Sequence, residues 1–333
     1  MTDFPLVSVI LPVYNAEKYL ADSIRSILSQ RFENFEFIIL NDGSTDQSSE
    51  IVKSFSDSRI RYFEHANKGL ANTLNKGIEL SRGKYIARQD NDDISHPERL
   101  GLQVEFLEKN TEYALVGSSA SIMDENGSDT GRKHLHPCQS SHLKLELVFD
   151  NPFVHSSVMF RKEAIVKVGL YDPDTRFFED HNLWSRVSYQ YKVANLPDFL
   201  LQYREVGTGM SKTTSNYIRR VQNQCKLNLD HYLPSHSIQN EATSKQFHQG
   251  NYDSKSKISI GMQIEELIKI IFEKENSEEK EKAFQRMILK MEMSRIRNLI
   301  SNVGDSFFKL CIYKLRRKFV FNSYNKLVKS HHF

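Results

Sequence analysis

The sequence is poor in cysteine, has a single tryptophan and carries little net charge. Its three cysteines, Cys138, Cys225 and Cys311, lie far apart without metal-ligand spacing. A disulfide framework is therefore not expected, and a reducing compartment is the simpler interpretation. The formal net charge of only +3 on 333 residues argues against a nucleic-acid partner, because such partners select for strongly basic surfaces.

Long apolar runs are also missing. None reaches the roughly eighteen residues that a membrane-spanning helix needs. The N-terminal stretch MTDFPLVSVILPVYN has no basic region, and Pro12 interrupts its apolar run, so it does not read as a signal sequence. These absences predict a cytoplasmic protein.

The composition, 39% hydrophobic and 26% charged, is typical of a soluble globular chain. Its length predicts one large domain with an appended region, or two domains. Near the start, the apolar runs VSVILPV, FEFIIL, RIRYFE and KYIARQ alternate with segments of helical periodicity. This pattern predicts a Rossmann-like α/β fold with a mostly parallel sheet and helices on both faces. In such sheets, ligands bind beyond the carboxyl ends of the strands.

Two of the predicted strand ends are acidic. NDGSTD occupies residues 41–46 and DNDD residues 90–93. Ordinary turn and helix-capping chemistry is one explanation for both segments. Repeated carboxylates at one sheet edge repel each other, however, and call for a counter-charge. Asp90 and Asp92 have the spacing to share a hard cation such as Mg²⁺ or Mn²⁺.

Four segments in this order carry a specific resemblance. VSVILPVYNAEKYLADSIRSILSQ, FEFIILNDGSTDQS, NKGLANTLNKGIELSRGKYIARQDNDD and FFEDHNLWSR together resemble the family 2 glycosyltransferases. The likeness extends from about Val7 to Ser211 and implies the GT-A fold. We therefore expect a glycosyltransferase domain over residues 1–215, with a donor half at about 1–95 and an acceptor half at about 96–215.

The resemblance also implies residue roles in donor binding. The carboxylate of Asp42 would accept from the ring N–H of uracil, and Tyr14 would offer its ring face to the base. Asp90 would lie on the ribose side, Asp92 would bind the cation, and Arg88 would face the diphosphate. The full set expected to bind the nucleotide is Pro12, Tyr14, Asn15, Asp42, Gly43, Ser44, Arg88 and Asp90.

Transfer to a hydroxyl group needs a base to remove its proton. In YDPDTRFFEDHNLWSRV, the resemblance implies that Asp180 is this base, with the adjacent Glu179 as the alternative. A single displacement would invert the anomeric centre. The competing interpretation is that both carboxylates only complement a helix dipole.

Two further residues fall in the predicted acceptor half. The resemblance suggests His155 and Trp184 as acceptor-binding residues, although structural roles are the alternative for both, and core packing is the more ordinary role for Trp184. Relatives often carry a metal-binding histidine where this chain has Val206 in LQYREVGTGMSK. That ligand is therefore missing or comes from elsewhere, while Arg204 is expected to contact phosphate.

The remaining residues, 216–333, are expected to form a helical appendage that packs on the first domain or on another subunit, so an oligomer is compatible with the sequence. Within it, residues 233–259 are polar and suggest a linker. Residues 307–329 carry seven basic and no acidic side chains among apolar ones. This tail fits a peripheral contact with the anionic inner face of the cytoplasmic membrane, with a packed terminal helix as the alternative.

Together these features predict an inverting, metal-assisted glycosyltransferase. It would move a sugar from a UDP-sugar to a saccharide or lipid-linked saccharide during synthesis of a capsule, exopolysaccharide or lipopolysaccharide. An oxidoreductase is disfavoured, because no G-x-G-x-x-G follows the first strand. A non-catalytic carbohydrate-binding or membrane-scaffold protein with a degenerate transferase domain is the remaining alternative, and Val206 is its main support.

Overall fold

The computed structural model describes residues 4–175, 178–207, 215–249 and 254–301. The chain divides into two compact units. Unit 1 consists of Met1–His136 and Phe153–Thr213, and unit 2 of Pro137–Pro152 and Thr214–Phe333. The basic tail at residues 307–329 lies outside the described residues, as does Cys311. None of the helices in the described ranges is long and apolar enough to cross a membrane.

Unit 1 is built on a nine-stranded sheet in the order β3-β2-β1-β4-β8-β6-β9-β5, with β7 paired to β6. Strands β1 to β4 are parallel, as predicted from the alternating pattern. Beyond them, β8 is antiparallel to β4 and β6, whereas β9 runs parallel to β6. The strands are β1 Val7–Val13, β2 Phe35–Asn41, β3 Ile60–Glu64, β4 Tyr85–Arg88, β5 Ile94–Ser95, β6 Tyr113–Met123, β7 Asp129–His134, β8 Met159–Arg161 and β9 Lys192–Arg204.

Unit 1 combines its strands with helices, and the elements described in unit 2 are helical. A 3-10 turn of unit 1, His155–Ser157, directly precedes β8. The helices of unit 1 are α1 Leu20–Leu28, α2 Ser48–Lys53, α3 Leu70–Leu80, α4 Arg99–Lys109, α6 Lys162–Val168 and α7 Glu179–Gln190. Those of unit 2 are α5 Ser140–Phe149, α8 Ser215–Tyr232, α9 Ser237–Gln249, α10 Ser254–Ile271 and α11 Ser277–Ser301.

The core of unit 1 explains the pattern of its first strands. Every residue of β1 and β2 is buried, which is why both are mostly apolar rather than alternating, with Ser8, Glu36 and Asn41 as buried polar exceptions. Helix α1 covers this sheet with Leu20, Ile24 and Ile27, all fully buried. Each such side chain contributes about 1.5–3 kcal/mol of hydrophobic free energy. Burial therefore fixes the strand ends that carry the acidic turns.

In unit 2, the prediction of a linker over residues 233–259 is wrong. Helix α9 lies within that range, and α10 begins there. The polar side chains that suggested a linker satisfy one another in the interior instead. Gln263 of α10 donates to the side-chain oxygen of Asn240 at 2.9 Å, and the hydroxyl of Thr243 donates to Gln263. Buried polar groups paired in this way cost little, so the helices pack despite their composition.

Unit 2 also contains α5, which falls within the range predicted as the acceptor half. Its apolar core includes Leu145 of α5, Leu229 of α8, Phe247 of α9 and Ile264 of α10. The boundary near residue 215 between a transferase domain and a helical region stays a prediction.

Candidate active site

The loops after β1 and β2 are joined by hydrogen bonds. Val13 and Asn41 end these strands side by side in register. The backbone N–H of Asn15 donates to the hydroxyl of Ser44 at 3.1 Å, and the side-chain oxygen of Asn15 accepts from Thr45 N–H at 2.9 Å. Asn15 has a positive φ of 47°, which asparagine tolerates better than most residues. The structure therefore brings Asn15 and Ser44 together, as expected.

Asp42 organises the loop between β3 and α3. Its two carboxylate oxygens accept from the backbone N–H groups of Lys68 at 2.7 Å and Gly69 at 3.0 Å. The ring nitrogen Nδ1 of His65 lies 3.3 Å from Oδ1 of the same carboxylate. Asp42 is 4% exposed. Each carboxylate oxygen has a second lone pair, so this arrangement leaves capacity to accept from a ligand.

Gly43 and Pro12 serve the fold in ways that the resemblance did not imply. Gly43 has φ +76°, and a Cβ built there would lie 2.8 Å from the backbone nitrogen of Asn67. Glycine is thus required for close approach of the β3–α3 loop, rather than of a ligand. Pro12 is buried inside β1 and presents no surface to a nucleoside. Tyr14, by contrast, is 51% exposed and offers a free ring face.

The turn after β4 places Asp90 against Arg88. One guanidinium nitrogen of Arg88 lies 2.5 Å from Oδ1 of Asp90. The backbone N–H of Asp90 donates to the hydroxyl of Ser156 at 2.8 Å. Arg88 is 1% exposed. The Arg88 side chain is therefore buried and paired with Asp90, and its contact with the diphosphate stays a prediction.

Arg204 closes the same turn from β9. Its backbone N–H donates to the Asp93 carboxylate at 2.8 Å, and its Nε donates to the Asp92 carbonyl at 2.9 Å. The guanidinium packs over the ring of Tyr19, 4.3 Å from its centroid. Arg204 is 5% exposed, and its contact with phosphate stays a prediction. It holds the turn from inside the protein.

The carboxylates of this turn suit a divalent cation. Burial first, and then the Asp90 charge, raise the pKa of Asp92 to about 6. Burial and the same neighbours raise the pKa of Asp93 well above its usual value. This is the expected signature of like charges held together without a cation, and hard oxygen ligands match Mg²⁺ or Mn²⁺.

Protein ligands for such a cation are few. Within the ranges that the structure describes, no cluster of three or more histidine, cysteine or acidic side chains has metal-binding geometry. Val206 occupies the position at which similar sequences often carry a metal-binding histidine. Asp90 and Asp92 would thus hold the ion together with oxygens from the donor and from water.

Glu179 and Asp180, the two acidic residues at the start of α7, differ in burial. Glu179 is 7% exposed, whereas Asp180 is half-buried. An oxygen of Asp180 accepts from the backbone N–H of His181 at 2.7 Å. Of the two carboxylates, Asp180 is therefore better placed to meet a second substrate.

Tyr171 connects this pair with the turn after β4. Burial raises the pKa of its hydroxyl well above the usual value, and the Arg88 charge opposes that rise. The carboxylates of Asp180, Glu179 and Asp90 all act on the same hydroxyl and raise its pKa further. The predicted base and the predicted donor turn therefore both influence this hydroxyl electrostatically.

The two predicted acceptor-binding residues, His155 and Trp184, differ in burial and in their contacts. His155 is half-buried, and a 3.0 Å hydrogen bond joins its Nε2 to the Tyr171 hydroxyl. Burial and the Arg88 charge lower the pKa of His155 to about 3, so it is neutral. Trp184 is fully buried, with His155, Phe160 and Tyr171 around its ring. Its alternative role, core packing, is correct, and a sugar platform there is excluded.

Some residues of the site could not be picked from the sequence. They are buried polar side chains in or near the turn after β4, and no spacing rule marks them. The only available signal is that two of them directly flank residues already chosen. These residues are Gln89, Arg99, Ser156 and Tyr171.

Comparisons with known proteins identify the family of this chain. The family described as Glycosyl transferase family 2 matches residues 8–169. A glycosyltransferase of Haemophilus influenzae is 35% identical over 70% of this chain and 76% of its own length. The glycosyltransferase EpsE of Bacillus subtilis is 37% identical over 65% of this chain and 79% of its own. The amylovoran biosynthesis glycosyltransferase AmsE of Erwinia amylovora is 31% identical over 64% and 82%, respectively.

Solved structures show the same fold at low sequence identity. TarS 1-349 of S. aureus, in complex with UDP-GlcNAc, has a TM-score of 0.58 and 15% identity, covering 90% of this chain and 93% of its own. The mannosyltransferase PcManGT of Pyrobaculum calidifontis, in complex with GDP-Man and Mn²⁺, has a TM-score of 0.55 and 14% identity, covering 92% and 89%.

Proposed function

The chain belongs to glycosyl transferase family 2 and is a GT-A-fold glycosyltransferase, and from that premise we propose that it is an inverting enzyme using a UDP-sugar. Its acceptor would be a saccharide or lipid-linked saccharide of a surface polysaccharide. The observation that carries the proposal is the acidic turn after β4, where Ser156 accepts from the Asp90 backbone N–H and Arg204 donates to the Asp92 carbonyl. The names of AmsE and of the TarS complex with UDP-GlcNAc support the pathway and the donor class.

The donor would bind where the β1, β2 and β4 loops meet. Tyr14 would stack on the base with its exposed ring. Asp42, held by the Lys68 and Gly69 amides, would accept from the N–H of uracil with a remaining lone pair. PcManGT binds GDP-Man on the same fold, so the fold alone does not select uracil.

Asp92 and Asp90 are the residues that would hold Mn²⁺ or Mg²⁺. The ion, when bound, would supply Lewis-acid stabilisation of the leaving diphosphate. On the protein side, Arg204 and Ser156 hold the backbone of the turn, which would preorganise both carboxylates before the donor arrives. Such preorganisation avoids moving charged groups during the reaction.

Asp180 would act as the general base. The acceptor oxygen forms a bond to the anomeric carbon as the bond to the UDP oxygen breaks, and the acceptor proton passes to the Asp180 carboxylate. Attack from the face opposite to UDP inverts the anomeric centre. Neutral His155 and the protonated Tyr171 hydroxyl lie beside this path as uncharged hydrogen-bonding groups.

Thermal unfolding with nucleotides tests the donor assignment. UDP, GDP, CDP and dTDP are each added with and without Mn²⁺, because a ligand of the folded state raises its stability. We expect the largest shift with UDP and Mn²⁺, and its loss in Asp42→Ala. A larger shift with GDP would indicate a GDP-sugar donor instead of a UDP-sugar. No shift with any nucleotide would contradict the proposal.

The non-catalytic alternative rests on Val206 and on the small set of protein ligands. Hydrolysis of UDP-sugars without acceptor discriminates between the two functions. The enzyme should release UDP, and Asp92→Ala and Asp180→Asn should both slow that release. A chain that binds UDP but releases none from any UDP-sugar, with acceptor or without, would support the alternative.

A peripheral membrane contact through residues 307–329 is part of the same proposal. Its support is the sequence alone, seven basic side chains without an acidic one. Deletion of these residues should release the protein from liposomes containing anionic lipid. Binding that survives the deletion would assign membrane contact to another part of the chain or to none.

A further inference from the structure

Arg99 is a fully buried cation directly behind the turn after β4. It is the first residue of α4 and is 0% exposed. Across the described part of the chain, no carboxylate lies within ion-pair distance of its guanidinium. A buried charge without a carboxylate partner is costly, so its other contacts must hold it there.

Those contacts are all with neutral oxygens around the turn. One terminal nitrogen, Nη2, donates to the carbonyls of Arg88 at 2.5 Å and Val158 at 3.2 Å. The other, Nη1, donates to the side-chain oxygens of Gln89 at 2.9 Å and Ser95 at 2.7 Å. The planar fork of arginine thus fixes the last residue of β4 and both ends of the turn.

Gln89 extends this support to the turn itself. Its amide nitrogen donates to the carbonyls of Asp93 at 2.9 Å and Asp90 at 3.2 Å. The amide is oriented because its oxygen accepts from Arg99 and from the Ser95 hydroxyl. Loss of the guanidinium would therefore release both the carbonyl of Arg88 and the side chain that holds the two aspartate carbonyls.

The charge of Arg99 has a second consequence. Burial first, and then the Arg88 guanidinium, lower the pKa of Arg99 to about 9, so the side chain stays cationic at neutral pH. Asp93 and Asp90 act on it in the opposite direction, which shows that these carboxylates and Arg99 attract one another. Arg99 is thus part of the internal counter-charge for the acidic turn.

We propose that Arg99 is a positioning residue, which through Gln89 holds the turn of Asp90, Asp92 and Asp93 in its donor-binding conformation. The proposal rests on the donor site proposed above. Arg99 does not touch the substrate. Its replacement should therefore weaken binding of the nucleotide with its cation more than it weakens the fold.

Arg161 is a matched control at the other end of the same strands. It pairs with Tyr85 at the start of β4 and also donates to backbone carbonyls, those of Leu107 at 2.5 Å and Tyr113 at 2.7 Å. Among the described residues, its side chain forms no hydrogen bond with the acidic turn. Arg161→Met should destabilise unit 1 by a mechanism similar to that of Arg99→Met, but away from the donor site.

The experiment compares wild type, Arg99→Met, Arg99→Lys and Arg161→Met at a temperature where each is folded. Hydrogen exchange of a peptide spanning residues 89–95 reports on the turn without any ligand. Titration calorimetry with UDP and Mn²⁺ reports on donor binding. For Arg99→Met we expect faster exchange in this peptide and a Kd weakened about 10- to 100-fold, the usual effect of losing an outer-shell partner of a metal site.

Arg161→Met should keep wild-type exchange and Kd despite a lower Tm. Arg99→Lys keeps the charge without the fork and should fall between wild type and Arg99→Met, and it serves if Arg99→Met does not fold. Exchange and Kd that match wild type in both Arg99 variants would reduce Arg99 to a structural residue. Failure of wild type to bind UDP would contradict the proposed function instead, and exchange alone would still decide the role of Arg99.

Discussion

The backbone N–H of Asp90 donates to the hydroxyl of Ser156 at 2.8 Å. This bond joins the turn after β4 to the 3-10 turn before β8, two segments that are far apart in the sequence. Ser156 is fully buried, so water cannot replace its hydroxyl. The hydroxyl of Ser156 is thus one of the groups from the second half of unit 1 that hold the acidic turn, together with Arg204.

Ser156→Ala should weaken donor binding. The Asp90 N–H would lose its acceptor, and an unsatisfied buried donor costs about 1–3 kcal/mol. Urea unfolding should show this loss, and the KM for the UDP-sugar should rise. Ser157→Ala is the control, because that hydroxyl donates to the Val154 carbonyl and is not bonded to the turn. An equal rise of KM in both variants would contradict a specific role for Ser156.

Asp180→Asn should abolish most transfer while leaving donor binding intact. Loss of a general base reduces kcat about 10²- to 10⁴-fold. Glu179→Gln changes the adjacent, buried carboxylate and should reduce kcat less, because that side chain is not open to the acceptor. The measurement is kcat with saturating UDP-sugar, with the Kd for UDP as control. A larger loss in Glu179→Gln would reassign the base to Glu179.

Glu36 predicts a pH dependence of stability. Burial, the largest single influence, raises the pKa of this buried carboxylate, but hydrogen bonds from Ser8, the Arg82 backbone and Arg61 together lower it below 4.5. A folded-state pKa below the unfolded value adds stability above the unfolded pKa, and that stability is lost as pH falls through the folded pKa. Glu36→Gln should therefore cost about 2–3 kcal/mol at pH 7.

The cost of Glu36→Gln should shrink steadily as the pH falls below about 4.5, the ordinary pKa of a glutamate. Urea unfolding of both proteins between pH 3 and pH 7 measures this difference. Glu105→Gln is the control, because its pairing with Lys109 is at the surface and should have no measurable effect. A constant difference between the Glu36 variant and wild type across this range would show that the carboxylate charge is not responsible.

Gly43→Ala should disturb the nucleotide loops. The residue has φ +76°, and its added Cβ would meet the Asn67 nitrogen at 2.8 Å. Gly131→Ala is a matched control, since Gly131 has φ +69° with nothing within 4 Å of its added Cβ. Both variants incur the conformational cost of about 1–2 kcal/mol. Only Gly43→Ala should also weaken UDP binding, and equal UDP affinity in the two variants would exclude an effect of the steric contact.

The parallel half of the sheet was predictable because burial on both faces leaves β1 and β2 predominantly apolar. The position of the acidic turns follows from the same rule, since parallel strands end at one edge. The orientation of Arg204 was not predictable from its neighbours in sequence. Its partners are in a turn about a hundred residues earlier, and a positive side chain near an acidic turn fits a phosphate ligand equally well.

Trp184 and α9 both show that the local sequence pattern does not reveal the partners of a side chain in the fold. The tryptophan could pack or stack on a sugar, and only the surrounding Phe160 and Tyr171 decide for packing. The polar composition of α9 suggested a linker, because pairing of Asn240 with Gln263 is not visible in the local pattern. Burial of a polar side chain depends on its partner, and partners come from distant segments.

The hydrogen bonds from Arg204 to Asp92 and Asp93 also affect when the acidic turn can be completed during synthesis. Arg204 follows Asp92 by 112 residues. At about 5–20 residues per second, a ribosome needs roughly 6 to 22 s to add that stretch. A nascent chain can thus pair β1, β2 and β4 while the carboxylates of its turn still lack their last hydrogen-bond donor. The chain would become able to bind the donor only late in translation, after most of the sheet has left the ribosomal exit tunnel.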